Sequence, residues 1–241
     1  MRVAAISDVH GNAPALEAVL AELERAQVDA VVFCGDLTWG PLPRETLELV
    51  DGIAVPTHFV RGNADRAVGE IQARDDLSEI EAYQRRAHGG LWERPFAFEA
   101  GVSLEVDGLG TTRFTHGSPR SDEECVTERT PEDRVREFAA GVPERVIVHG
   151  HTHVQYERTV AGLRVLNPGS VGIPYADEPG AYWAVLGPDV ELRRTEYDLD
   201  AAAERIAASG DPFAEELIGM LRSPPAPEES IAHAERVVFA G

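Results

Sequence analysis

Short apolar runs alternate with amphipathic stretches along the first sixty residues. The runs Val3–Ser7, Ala30–Cys34 and Val55–Val60 predict buried β-strands. Between them, Asn12–Ala26 and Glu45–Val50 place apolar residues at helical spacing, so each predicts an amphipathic helix. This β-α-β-α-β order predicts a parallel sheet with helices packed against it.

The pattern changes after residue 60. The polar segment Leu77–His88 predicts a helix that ends at Gly89-Gly90, and Ser223–Ser230 predicts a loop. Further helices are predicted at Pro131–Ala140, Asp200–Ala208 and Pro212–Leu221. Further strands are predicted at Phe96–Glu99, Val102–Val106, Thr111–Thr115, Arg145–His149, Val154–Val160, Arg164–Leu166, Tyr182–Leu186 and Glu191–Tyr197. We therefore expect an α/β protein with two sheets and flanking helices. It would form one domain over 1–241, with a helical insert near 66–92 and C-terminal helices near 200–221.

Charge and cysteine content narrow the functional classes. The chain has 42 acidic and 22 basic residues, a formal net charge of −20, which disfavours binding to nucleic acid or to anionic membranes. A small phosphorylated substrate is still compatible with this charge, because bound divalent cations reverse the local field. Cys34 and Cys125 make no disulfide framework, so a cytoplasmic location is expected. Since no apolar run approaches ~18 residues, no membrane span is predicted.

Five short motifs each follow a predicted strand. They are Asp8-Val9-His10, Gly35-Asp36, Gly62-Asn63, His116-Gly117 and Gly150-His151-Thr152-His153. Ligand sites of open α/β sheets lie at the carboxyl ends of strands, and imidazole with carboxylate suits Zn, Mn, Fe or Ni. If strand geometry persists through Asp8-x-His10 and His151-x-His153, both side chains of each pair point the same way. The sequence thus predicts a metal site.

In this order, the five motifs resemble those of the calcineurin-like metallophosphoesterases. The resemblance runs from Val3 to about Tyr182, and the stretch Asn167-Pro168-Gly169-Ser170 is similar to that of the small bacterial YfcE-like branch. It implies a sandwich of two mixed β-sheets flanked by helices. It also implies two divalent cations. We expect both to be manganese, with iron, nickel and zinc as alternatives.

The resemblance also implies a role for each motif residue. One metal would be held by Asp8, His10 and His153, the other by Asn63, His116 and His151, and Asp36 would bridge them. A hydroxide between the metals would attack phosphorus, with Asp36, Asn63 and His116 on the phosphate side. The Asn167–Ser170 stretch would form a tight turn that supports the site.

Five residues near the motifs depart from the family pattern or extend it. Many members carry histidine where this chain has Ala64, and members without it often favour phosphodiesters. Asp65 is either a partial substitute for that histidine or a residue that orients others. Arg120, like Arg61, is a candidate phosphate contact, with a surface salt bridge as the alternative. Trp39 is a candidate wall of the substrate cleft.

The remaining histidines are assigned structural or surface positions. His149 is interpreted as packing at a strand end. His58, His88 and His233 are interpreted as surface or structural residues.

The leading functional hypothesis is a phosphoesterase that acts on a small phosphodiester or nucleotide-like molecule. The alternatives are a phosphomonoesterase, including a protein phosphatase, and a non-catalytic scaffold on the same fold, such as the scaffold subunit of the retromer coat. A nuclease ranks third because of the negative charge. A homo-oligomer is compatible with the sequence.

Overall fold

Two five-stranded sheets form the framework of the computed structural model, which describes residues 1–234 and 236–237. The strand orders are β10-β9-β1-β2-β3 and β4-β5-β6-β8-β7. Both sheets mix parallel and antiparallel pairs, as predicted: β1 runs parallel to β2 and antiparallel to β9, and β5 runs parallel to β6 and antiparallel to β4. The strands are β1 (Val3–Ile6), β2 (Ala30–Phe33), β3 (Thr57–Phe59), β4 (Val102–Val106), β5 (Gly110–Phe114), β6 (Val146–Val148), β7 (Tyr156–Val160), β8 (Leu163–Asn167), β9 (Ala181–Leu186) and β10 (Val190–Thr195).

The two sheets pack face to face around one apolar layer. In β1, Val3 and Ala5 point into this layer, where they meet residues of the second sheet such as Phe114. The intervening residues Ala4 and Ile6 point the other way, toward the helices that cover the first sheet. Because both faces of β1 are buried, it is apolar at every position, which is why its run was recognisable in the sequence.

Helices cover the outer faces and extend the chain beyond the sheets. The helices are α1 (Ala13–Ala26), α2 (Pro43–Asp51), α3 (Asn63–Glu70), α4 (Glu79–His88), α5 (Glu93–Phe96), α6 (Glu132–Phe138), α7 (Leu199–Ala208), α8 (Ala214–Arg222) and α9 (Pro227–Ala234). The side chain of Asn12 accepts a hydrogen bond from Ala15 N and begins α1. Among the described residues, no helix combines the length and the apolar character needed to cross a membrane.

Two local predictions were wrong. Residues 96–99 are not a strand: α5 ends at Phe96, and beyond it only Glu99 forms an isolated bridge, to Val60. The apolar side chains there serve ring packing, since Phe98 stacks on Phe59 with centroids 4.7 Å apart. The segment 223–230 is not all loop, because α9 begins at Pro227. Proline is common at the first position of a helix. Helix α3 begins within the Gly62-Asn63 motif, before the helical insert predicted near 66–92.

Candidate metal centre

The loops that follow parallel strands bring the motif residues to one end of the sandwich. Asp8 and His10 follow β1, Asp36 follows β2, and the loop after β6 carries His151 and His153. Backbone hydrogen bonds join these loops, including Asp8 N to Gly35 O at 3.0 Å and His10 N to Asp36 O at 2.9 Å. The structure brings all seven predicted ligands together.

The seven side chains form two adjoining groups. Asp8, His10 and His153 offer ligand atoms within 4.8 Å of one another, and Asp36, His116 and His151 do the same. In the first group, His153 Nε2 lies 3.2 Å from Asp8 Oδ1 and 3.2 Å from His10 Nε2.

Asp36 lies between the two groups. Its Oδ2 is 3.6 Å from His10 Nε2 and 3.4 Å from His116 Nε2. On the second side, Asn63 Oδ1 lies 2.9 Å from His116 Nε2. Carboxylate and amide oxygens with imidazole nitrogens form a donor set that fits divalent Mn, Fe, Ni or Zn.

Backbone carbonyls fix the orientation of the four imidazole rings. A carbonyl only accepts, so the ring nitrogen facing it donates and the other nitrogen stays available as a ligand. The contacts are His10 Nδ1 to Trp39 O (3.2 Å), His116 Nδ1 to Cys34 O (2.8 Å), His153 Nδ1 to Ile173 O (2.7 Å) and His151 Nε2 to Glu123 O (3.1 Å). His151 is therefore turned over relative to the others and offers Nδ1. None of these carbonyls was visible as a signal in the sequence.

Left-handed backbone conformations aim the ligands. Five of the seven have positive φ, which is uncommon outside glycine: Asp8 (54°), His10 (48°), Asp36 (53°), His151 (67°) and His153 (59°). The prediction that continued strand geometry aligns each D-x-H or H-x-H pair was therefore wrong. The strands end before the motifs, and sharp turns converge the side chains instead.

Two motif glycines allow the close approach of the carboxylates. A Cβ at Gly62 would lie 2.1 Å from Asp36 Oδ1, and a Cβ at Gly150 would lie 2.5 Å from Asp8 Oδ2. Any larger residue at either position would displace a candidate ligand.

Charge within the centre favours cations. Burial acts to raise the pKa of Asp8, but His153 and His116 outweigh it and hold that pKa at about 2. Burial also opposes ionisation of Asp36, yet His116 lowers the pKa of this carboxyl well below its usual range. Burial in turn lowers the pKa of His116, but Asp36 more than compensates and raises it to about 10. A cation that binds here therefore competes with a proton on His116.

Asp65 supports the centre from behind. It is fully buried, and its carboxylate accepts hydrogen bonds from the N–H groups of Asp36 (2.8 Å), Leu37 (3.0 Å) and Gly62 (3.0 Å). Burial, with Asp36 nearby, raises the pKa of Asp65 to about 7. Asp65 thus ties the loop after β2 to the start of α3. These contacts fit a residue that orients others better than a substitute for the missing histidine.

The turn at Asn167–Ser170 also supports the centre. Asn167 Nδ2 donates to Gly150 O at 2.8 Å, and Ser170 Oγ donates to Asp8 O at 2.8 Å. Ser7 was missed by the sequence analysis; its hydroxyl donates to Asp8 Oδ2. Both hydroxyls fix the loop that carries the first two ligands.

The two candidate arginines lie beside the centre with partners of their own. Arg120 donates to Glu124 at 2.7 and 3.0 Å and to Glu137 at 3.3 Å. Arg61 donates to Phe96 O at 3.2 Å.

The other histidines prove structural where they are buried. His149 Nε2 lies 2.6 Å from the hydroxyl of Tyr156. His88 is fully buried, so its alternative assignment to the surface was wrong; Thr38 and Gln84 both bond its ring.

Within the described part of the chain, three cavities adjoin the centre. The largest, of about 720 Å³, borders His151 and His153. Of the two smaller cavities, one, of about 340 Å³, borders His10 and is bounded by Trp39 together with mainly apolar side chains. The other, of about 300 Å³, borders His116 and is lined by Arg61, Arg66 and other polar residues.

Comparisons with known proteins agree with this geometry. A model of the calcineurin-like phosphoesterase superfamily domain matches residues 1–187. Phosphodiesterase YfcE of Escherichia coli is 27% identical over 199 residues, which span 79% of this chain and 89% of that protein.

Solved structures extend the likeness to almost the whole chain. A metallophosphoesterase from Sphaerobacter thermophilus is 27% identical with a TM-score of 0.69 and covers 92% of this chain and 98% of its own. A protein from Pyrococcus horikoshii shares the fold with a TM-score of 0.78 at 20% identity, over 93% of this chain and 99% of its own.

Proposed function

Since this chain belongs to the calcineurin-like phosphoesterase superfamily, we propose that it uses two divalent cations to hydrolyse a small phosphodiester or nucleotide-like substrate. The observation that carries the proposal is the position of Asp36 Oδ2, 3.6 Å from His10 Nε2 in one group and 3.4 Å from His116 Nε2 in the other. A carboxylate between two triads of ligands is suited to hold two cations side by side.

Each ligand has one role in this proposal. Asp8, His10 and His153 hold one cation, and Asn63, His116 and His151 hold the other, with Asp36 shared. When bound, the cations supply an activated water and neutralise charge on the phosphoryl oxygens. The protein's own part is to hold seven donor groups in place through backbone carbonyls, Asp65 and the left-handed turns.

The preference for diesters rests on Ala64. This residue follows Asn63 in the first turn of α3 and carries no group that could protonate a leaving oxygen. A monoester with a poor leaving group would suffer most, since general acid catalysis is worth ~10²–10⁴-fold. The E. coli relative named a phosphodiesterase is in line with this preference.

A comparison of two chromogenic esters tests the proposal. The protein is stripped of metal, Mn²⁺ is restored, and initial rates are measured on bis-p-nitrophenyl phosphate and p-nitrophenyl phosphate. We expect Mn²⁺-dependent turnover that is faster on the diester. Fe²⁺, Ni²⁺ and Zn²⁺ are compared in parallel, with manganese expected to be most effective.

Two results would change the proposal. Faster cleavage of the monoester would keep the metal centre and overturn the argument from Ala64. Absence of metal-dependent turnover, together with absence of bound metal in the untreated protein, would favour a scaffold without catalysis.

A further inference from the structure

The cavity beside His10 is formed by three separate parts of the chain. The loop after β2 contributes Trp39, Gly40 and Pro41. Helix α4 contributes Ile80 and Gln84. The segment around α8 contributes Asp211, Phe213, Glu216, Leu217 and Met220, and Ile173 completes the lining.

Much of this wall lies beyond the family domain. The superfamily model matches residues 1–187, so every lining residue from Asp211 to Met220 belongs to a segment outside the match. The ligands, in contrast, all lie inside it. The cavity therefore joins the metal centre of the superfamily domain to a wall that lies partly outside that domain.

Hydrogen bonds preform the cavity. The hydroxyl of Tyr83 donates to Pro41 O at 2.6 Å. Gln84, which is fully buried, accepts from Gly40 N at 3.2 Å and donates to Gly40 O at 3.1 Å. These bonds lock α4 to the loop that also provides the carbonyl partner of His10. A ligand in the cavity would thus meet a wall that is already ordered.

The chemistry of the lining selects the ligand. Trp39, Phe213, Leu217 and Met220 offer an apolar surface with two aromatic rings, suited to a flat group. The charged side chains of the lining are acidic, Asp211 and Glu216, and they would repel a second phosphate or carboxylate. No arginine lines this cavity among residues 1–234 and 236–237.

We propose that the cavity beside His10 binds a neutral, ring-bearing arm of the phosphoester substrate, whose phosphate lies at the metal centre. This assignment rests on the proposed function, because it takes the phosphate to be held by the metal ligands. His10 belongs both to the first ligand group and to the cavity wall, so one molecule can occupy both. The C-terminal helices would then determine substrate specificity.

Equilibrium binding of phosphonates tests this assignment without turnover. Phenylphosphonate and methylphosphonate carry the same head group on a stable C–P bond and differ in the arm. Titration calorimetry of the Mn²⁺-loaded protein at mildly alkaline pH should give about 10-fold tighter binding of the phenyl compound. 4-Carboxyphenylphosphonate should lose this advantage because its arm is anionic.

Two variants and one control locate the effect. Phe213→Ala removes a half-exposed ring of the wall, and Met220→Glu adds a charge to it, so both should bring the phenyl-to-methyl affinity ratio close to one. Glu215→Gln changes an exposed residue of α8 that does not line the cavity, and the ratio should stay as in the wild type. Circular dichroism confirms that each variant is folded.

The outcomes separate this assignment from the proposed function. If both phosphonates bind only with Mn²⁺ but equally well, or if the variants keep the preference, the assignment of the cavity is wrong and the metal centre stands. If neither phosphonate binds in a metal-dependent way and no ester is cleaved, the proposed function itself fails.

Discussion

The two smaller cavities beside the metal centre have similar volumes and opposite chemistry. The cavity at His10 is walled by apolar side chains, whereas the cavity at His116 is lined by Arg61, Arg66 and Arg120. Their origins differ as well, since the arginine cavity is built within residues 1–187, whereas the cavity at His10 takes part of its wall from beyond them. Under the proposed function, the superfamily domain would supply the chemistry, and the helices beyond it would add selectivity on one side.

The arginine cavity also shows that two arginines beside the metal centre already have carboxylate partners. Arg66 pairs with Asp122, Glu123 and Glu70, and Arg120 pairs with Glu124. Such carboxylates neutralise much of the positive charge before any substrate arrives. We therefore assign these two arginines to loop support rather than to substrate binding.

The largest effect is expected from the one residue common to both sides. In the wild type, Ala64 N donates to Asp36 Oδ1 at 2.8 Å. Asp36→Asn keeps an oxygen that can accept this hydrogen bond but removes the negative charge between the two ligand groups. Turnover of every ester, whatever its arm, should fall by about 100-fold or more, with loss of bound Mn²⁺. Rates and metal content are measured beside Asp133→Asn, an exposed carboxylate of α6. A folded Asp36→Asn protein with near-normal turnover would remove Asp36 from its central role.

Acid should destabilise the protein through His88 on the apolar side. Burial lowers the pKa of His88 in α4 to about 4, against 6.5 in the unfolded chain. Above pH 6.5 the His88 ring is neutral in both states and does not affect the free energy of unfolding. As the pH falls toward 4, the unfolded chain binds a proton at this ring, whereas the folded protein does not. The free energy of unfolding should therefore drop by about 2 kcal/mol from this group between pH 7 and pH 5.

Urea unfolding at both pH values measures this loss. His88→Gln removes the titrating ring, so its stability should change less with pH than that of the wild type by about the same 2 kcal/mol. Equal pH dependence in both proteins would show that His88 does not carry the effect.

A change on the His116 side should alter the choice of ester. Ala64→His introduces a proton donor beside Asn63, and the ratio of monoesterase to diesterase rates should rise by about 10-fold. Ala64→Gln is the matched control, because it adds a polar side chain that does not titrate. An unchanged ratio in Ala64→His would mean that this position does not determine the preference.

The smallest effect is expected from the paired arginines. Arg66→Ala breaks three partly exposed salt bridges, and the free energy of unfolding should fall by less than about 1 kcal/mol. Mn²⁺ affinity should weaken a few-fold, because the Glu123 carbonyl that orients His151 loses its anchor. Arg136→Ala, which breaks a surface pair within α6, should leave Mn²⁺ affinity unchanged. A large loss of turnover for Arg66→Ala would instead indicate direct contact with substrate.

Features with a local signal in the sequence were predictable. The strand β1 is buried on both faces, so its apolar run marked it, and the spacing of Leu16 and Val19 marked α1. The five motifs stood out because each follows a predicted strand. The resemblance to the calcineurin-like metallophosphoesterases then implied that their seven residues are metal ligands.

Features that depend on distant contacts were not predictable. The rings of residues 96–98 looked like a strand, but their packing on Phe59 decided otherwise. The positive φ angles at Asp8 and Asp36 arise from hydrogen bonds between loops far apart in sequence. The apolar cavity likewise forms only where α4 and α8 lie beside the loop after β2. No single segment of the sequence predicts this arrangement.

The left-handed turns at the ligands have an evolutionary consequence. Non-glycine residues held in this conformation cost on the order of 1–3 kcal/mol each, so the five of them take up much of a typical domain's stability. Replacing Asp8 or His153 by glycine would relieve that cost while destroying a ligand. Gene copies released from selection for hydrolysis could therefore accept glycine at these positions, which would relieve backbone strain. The metal centre would then be lost without a stability penalty from the backbone.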